Sequence, residues 1–170
     1  SSSDGDILAR ELKLHNGLLG GVLVPPFNKR KAEVLLSNTL LLAKKYNLEV
    51  DLHIDESSIS PAAGIKTLIK TIDRLKSKVP ITCSHSSSIL CLKERQILKL
   101  GKELAKRNIK VIALPLTNFW LLNRDDTNMP LRRPVAPVKQ LQRSFVDVSI
   151  GSDNVQDPWY PFGDFDPFYL

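Results

Sequence analysis

Short apolar segments alternate with single helical patterns along the whole chain, and their ends recur about every 30 residues, the length of one βα unit. The candidate strands are 18–25 (LLGGVLVP), 48–54 (LEVDLHI), 79–84 (VPITCS), 110–116 (KVIALPL) and 146–150 (VDVSI). Between them, Ile65, Leu68, Ile69, Ile72 and Leu75 recur at helical spacing. Residues 29–46 and 90–108 also read as helices, with Val34, Leu35, Leu41 and Leu42 expected on the buried face of the first. Shorter helical patterns cover 6–16, stopped by Gly17, and 138–143. Strands joined by single helices predict an α/β fold with a parallel sheet buried on both faces.

Two architectures fit this alternation: an open doubly wound sheet, or an arc of a (β/α)8 TIM barrel. No G-x-G-x-x-G or G-x-x-x-x-G-K-[ST] follows any strand. That removes the usual reason for a doubly wound nucleotide fold and favours the barrel. A complete barrel has eight strands and at least about 200 residues. The 170 residues here hold five units, so residues 1–170 are read as one partial barrel. Natural sheets avoid raw edges, so the missing strands belong to a longer chain or a partner subunit covers them. Residues 1–6 (SSSDGD) read as a flexible terminus.

Composition narrows the function. Apolar residues make up 42% and charged residues 25%, the range of folded globular chains. No apolar run reaches the ~20 residues of a membrane span. Cys83 and Cys91 alone make no disulfide framework. They are expected as reduced thiols in the cytoplasm or an organelle interior. The net charge is +6, but the lysines and arginines lie along predicted helices, where they form solvated faces. No aromatic residues interleave with them as a stacking platform, so nucleic acid is not the expected partner.

The chemistry collects at strand ends. Of the three histidines, His53 and His85 stand at the C-terminal ends of the second and third strands. Gly151-Ser152-Asp153-Asn154 follows the last strand. In a parallel barrel those ends form the mouth that carries the active site. Imidazole and carboxylate are the ligands that hold Zn or Fe with a position left open for water. Glu56, just beyond His53, could reach the same mouth as a proton shuttle. The stretch 118–137 reads as a long polar loop in which Arg132 or Arg133 braces against Asp125 or Asp126.

Four strings in order, VDLHIDE, TCSHSSSI, ALPLTNFWLLNR and GSDNVQDPWYPFG, resemble the cytosine deaminase branch of the amidohydrolase superfamily. The resemblance runs from about Leu18 to Gly163. It implies that the chain is the C-terminal five βα units of the barrel, lacking the first strands. It also implies a divalent metal, Zn or Fe, held by His53 and Asp153, and catalytic roles for Glu56, His85 and Asp153. Glu56 would carry protons between ring and leaving nitrogen, from a carboxyl raised above its ordinary pKa. Trp159 would close over the substrate ring, and Asn154 occupies a substrate-contacting position that is acidic in cytosine deaminases. The family's His-x-His on strand one and its glutamine on strand three have no counterpart here, and Ser86-Ser87-Ser88 replaces a threonine pair.

The expected activity is hydrolysis of a C–N bond in a small amino-heterocycle, with the 170-residue chain inactive by itself. A different reading is a non-catalytic partial barrel kept as a structural or interaction subunit of a larger assembly. Association of like copies stays open under both.

Overall fold

The computed structural model describes residues 2–122, 134–166 and 168. Five strands, Leu19–Leu23 (β1), Val50–Ile54 (β2), Ile81–His85 (β3), Ile109–Ala113 (β4) and Val148–Ile150 (β5), form one sheet in the order β1-β2-β3-β4-β5. Every pairing is parallel. A doubly wound sheet reverses its strand order at a switch point. This one does not, and it is an arc of a (β/α)8 barrel.

The helices are Ser2–Leu14 (α1), Lys29–Tyr46 (α2), Ala63–Leu75 (α3), Glu94–Lys106 (α4), Pro115–Leu121 (α5) and Val138–Arg143 (α6). A short 3-10 turn, Ser87–Cys91, precedes α4. Helix α2 starts at the cap Asn28, whose side chain accepts from the Lys31 N–H, and stops at Asn47 in the left-handed conformation. The α3 pattern is borne out, with Ile65, Leu68 and Ile72 buried and Ile69 and Leu75 packed at its margin.

Three expectations need correction. Among the described residues the sheet is covered on one face only: Val50, Leu52 and Ile54 are buried against helices. The opposite row, Val22, His53, Ser84, Ile112 and Ser149, runs across all five strands in register. It is the face a closed barrel turns inward, and Val22 is 65% exposed on it. In α2 the buried stripe is Ala32, Leu36, Leu40 and Ala43, while Val34, Leu35 and Leu41 are exposed. That helix carries two apolar stripes, and the one with alanines lets it lie closer to its neighbours. Residues 2–6 form the start of α1. Asp6 accepts from Lys45 Nζ and the Tyr46 hydroxyl, both at 2.8 Å, and ties that helix to α2. Finally, β4 ends at Ala113 and Pro115 opens α5, where a strand end and a loop were expected. Proline at a first helical position gives up no needed N–H. Arg132, Arg133, Asp125 and Asp126 lie outside the described residues.

Candidate active site

The site begins at the end of β2. His53 stands on the sheet face opposite the helices. Ile54 ends the strand, and Asp55 follows at φ 56, in the left-handed region. The buried Asp55 carboxylate accepts from the Gly64 N–H at 2.9 Å and the Ile65 N–H at 2.8 Å, at the positive end of α3. Its carbonyl accepts from the Ser88 N–H and the Ser87 hydroxyl. Burial pushes the Asp55 carboxyl up, against the pull of those two N–H groups. The turn so pinned brings Glu56 back to the mouth, where its Oε2 lies 3.0 Å from His53 Nε2.

His85 reaches the same place from β3. It pairs with Ile54, whose side chain packs among the helices, so strict alternation would send His85 there too. At φ 64 its backbone leaves strand geometry, and its ring centre stands 4.1 Å from that of His53. His85 Nδ1 is 3.5 Å from Glu56 Oε1, and Nε2 is 3.8 Å from Asp153 Oδ2. Asp153 is also left-handed, at φ 64. Such conformations in non-glycine residues raise the energy by of order 1–3 kcal/mol each and gather where function needs them. Asp55, His85 and Asp153 all bear on this one mouth.

Asn118 joins the cluster from α5. It is completely buried, and its Nδ2 donates to Glu56 Oε1 at 3.0 Å and lies 3.1 Å from His85 Nδ1. Its Oδ1 is buried with no hydrogen-bond partner among the described residues. Sequence reading placed this residue at the start of a loop and gave it no role. The available signal was Pro115, which marks a helix start and turns Asn118 inward one turn later.

Burial pushes the Glu56 carboxyl up, but the His53 hydrogen bond, the nearby His85 and His53 charges and the Asn118 amide outweigh it. The carboxyl is therefore held below its ordinary value. This corrects the raised value expected from an apolar setting, because the walls around Glu56 are donors. Burial lowers the His85 imidazole, with Glu56 and Asp153 pulling the other way.

One donor atom each from His53, Glu56 and His85 lies within 4.8 Å of the others. Asp153 adds a carboxylate beside His85. Two imidazoles and a carboxylate grouped this closely, with Asp153 beside His85, are donors of the kind that hold Zn or Fe, and the residues fit a divalent metal. The structure thus brings together His53, Glu56, His85 and Asp153.

Asn154 and Trp159 sit in the loop beyond. Asn154 Nδ2 donates to Asp157 Oδ2 at 2.6 Å, and its N–H donates to Thr117 Oγ1. The Trp159 N–H donates to Asp157 Oδ1, and the residue is 59% exposed. That loop packs on α5 through Trp120, Tyr160 and Phe162, whose rings meet edge to face. The sequence reading did not single out this trio.

Fold and site define a class: an arc of a TIM barrel whose strand ends bring two imidazoles and two carboxylates to one mouth. Within that class, the chain resembles the cytosine deaminase-like branch of the amidohydrolase superfamily. It is similar to the structure of 5-methylcytosine deaminase from Klebsiella pneumoniae liganded with phosphonocytosine. There the TM-score is 0.76 and the identity 26%, over 94% of this chain and 38% of that one. N-isopropylammelide isopropylaminohydrolase from Burkholderia multivorans shares the fold, at TM-score 0.69 and 23% identity, over 93% of this chain and 37% of that one. Among curated proteins, a pterin deaminase of Rhizobium rhizogenes is 29% identical over 153 residues, 89% of this chain and 34% of the relative. The uncharacterized protein YahJ of Escherichia coli is 26% identical over 95% of this chain and 32% of its own length. The chain therefore spans about a third of the curated relatives it matches. No family model matches it.

Proposed function

We propose that this chain supplies the proton-handling half of a hydrolase centre that deaminates a small amino-heterocycle, such as a pyrimidine or pterin. The observation that carries the reading is the convergence of His53, Glu56, His85 and Asp153 at one strand-end mouth. The deaminase names of the relatives support it.

The reaction replaces a ring amino group by oxygen: a C–O bond forms from water, the C–N bond breaks, and ammonia leaves. His53 and Asp153 would hold a divalent metal, Zn or Fe, together with ligands from the strands that complete the barrel. The chemistry such a metal supplies is a lowered pKa of water, toward ~7, so that a nucleophile is available at neutral pH. Asp153 receives a proton from the attacking water, and His85 Nε2 orients the oxygen. Glu56, ionised at rest, takes one proton of the attacking water and hands it to the ring nitrogen; the water's other proton, taken by Asp153, is relayed to the amino group, which leaves as ammonia. Trp159 and Asn154 are the residues proposed to meet the substrate once the loop closes over it.

The partners under this reading are the heterocycle and the polypeptide that continues the sheet beyond β1 and β5. A reducing compartment suits the buried Cys83 thiol, which burial pushes up. No described helix is long and apolar enough to cross a membrane. The 170-residue chain by itself is expected to be inactive, because too few ligands are present.

Among the described residues, the open inward face and the single-sided pairing of β1 and β5 favour one other reading, a non-catalytic partial barrel docked in an assembly. Ammonia release from a panel of amino-heterocycles by the complete protein decides between them. Release that is lost in Glu56→Gln while metal is retained supports the deaminase. No release from any member supports the scaffold.

A further inference from the structure

We propose that Asn118 is a positioning residue whose amide fixes the His85 proton on Nε2 and holds Glu56 against His53. The inference deepens the hydrolase reading and rests on it for its catalytic meaning, while its test stands apart from activity.

The argument starts at Glu56. A carboxylate only accepts, so the Asn118 atom 3.0 Å from Oε1 is the NH2 group and not the carbonyl. The opposite amide orientation would set Oδ1 against a carboxylate oxygen. The same nitrogen lies 3.1 Å from His85 Nδ1, within reach of its second hydrogen, and an amide nitrogen cannot accept. Nδ1 therefore accepts, and the neutral ring carries its hydrogen on Nε2. Nε2 is the atom that faces Asp153 Oδ2, 3.8 Å away.

The alternative tautomer is close at hand. Glu56 Oε1 is itself 3.5 Å from His85 Nδ1 and would accept a hydrogen placed there. That ring would present a bare acceptor to Asp153 and to the space where the attacking oxygen must be held. The two tautomers differ by one local choice, and the Asn118 amide makes it. By occupying Oε1 the same amide leaves Oε2 as the oxygen turned to His53.

Asn118 Oδ1 has no partner among the described residues, and the contacts they record for this side chain are made by its NH2 group. A leucine would fill the space with no unpaired polar atom. Among the described residues, what asparagine adds over leucine is the NH2 donor pair, within hydrogen-bond distance of Glu56 and His85.

The test is the tautomer, read from long-range 1H–15N correlations of the 15N-histidine-labelled protein at about pH 8, where an ordinary imidazole is neutral. The His85→Gln spectrum assigns the ring. We expect wild-type His85 with its hydrogen on Nε2. In Asn118→Leu and Asn118→Asp the major tautomer should become Nδ1–H, with exposed His15 unmoved. A wild-type His85 that is mainly Nδ1–H overturns the proposal. So does an unchanged tautomer in the two folded variants. Should circular dichroism show both variants unfolded, the wild-type tautomer alone decides. The readout needs neither metal nor substrate, so a failure to find deaminase activity would strike the functional reading and leave this one standing.

Discussion

Glu56 Oε2 lies 3.0 Å from His53 Nε2, across a turn that the left-handed Asp55 makes between them. The contact sets a carboxylate beside a ring that the proposed function makes a metal ligand. It raises a direct question, whether Glu56 moves protons or binds metal.

Glu56→Gln separates the two roles. Glutamine keeps the shape and an acceptor oxygen but carries no transferable proton. In the complete enzyme, turnover should fall about 10²–10⁴-fold, the usual contribution of a general acid–base group. Metal content, measured by elemental analysis of the same preparation, should hold. Loss of metal along with turnover would make Glu56 a ligand instead.

His53→Ala and Asp153→Ala should each strip the metal from the complete enzyme, because each removes a donor atom and leaves a site short of its usual ligand count. Full occupancy and turnover in His53→Ala would refute the assignment of the site.

Gly64 has a packing reason to be glycine. A Cβ there would sit 2.8 Å from Asp55 Oδ1 and 2.9 Å from Ile54 Cγ1, both buried. Gly64→Ala should destabilise the fold by about 1–3 kcal/mol, as overpacking does. Urea denaturation measures this, and a shift in the Glu56 side-chain resonances would show that the Asp55 turn has moved.

The buried face of α2 can be checked by paired truncations. Leu36 is 1% exposed and Leu35 43% exposed. Leu36→Ala should lower stability by about 2–5 kcal/mol, and Leu35→Ala by no more than about 0.5 kcal/mol. Equal losses in denaturant midpoint would put the sequence-expected face back inside.

Acid should weaken one surface network. Arg107 Nη2 donates to Asp73 Oδ2, and Nη1 donates to Glu103 Oε2, each at 2.7 Å. These bonds hold both carboxyls below their ordinary values of 3.8 and 4.5. The folded state then binds fewer protons than the unfolded one. The contribution is complete above those ordinary values and disappears as pH falls through the lowered ones. Arg107→Ala should flatten the acid limb of a stability–pH curve taken downward from about pH 6, and added salt should shrink the difference.

The βα rhythm was legible because each strand is a short apolar run and each helix has a stripe at its own period. Such patterns are local, and they give β2, α2 and α3 within a residue or two. The buried side of α2 was not legible. Its two apolar stripes are equivalent by periodicity, and only docking chose the one with Ala32 and Ala43. The start of α1 escaped for a related reason, since Asp6 is anchored by Lys45 and Tyr46, far along the chain.

For the site, the sequence by itself determined which residues could be brought together. His53, His85 and Asp153 end strands, parallel strands end on one side, and Glu56 follows His53 closely. Tertiary structure alone decided how they meet. The left-handed backbone at His85 overrides the alternation that would bury its ring among the helices. The donors around Glu56 lower a carboxyl that burial would raise. Asn118 enters from a helix that no strong period announces and spans two strand ends at once. A hydrogen bond between residues distant in sequence depends on sheet register and helix docking, and neither is written in any local window of the chain.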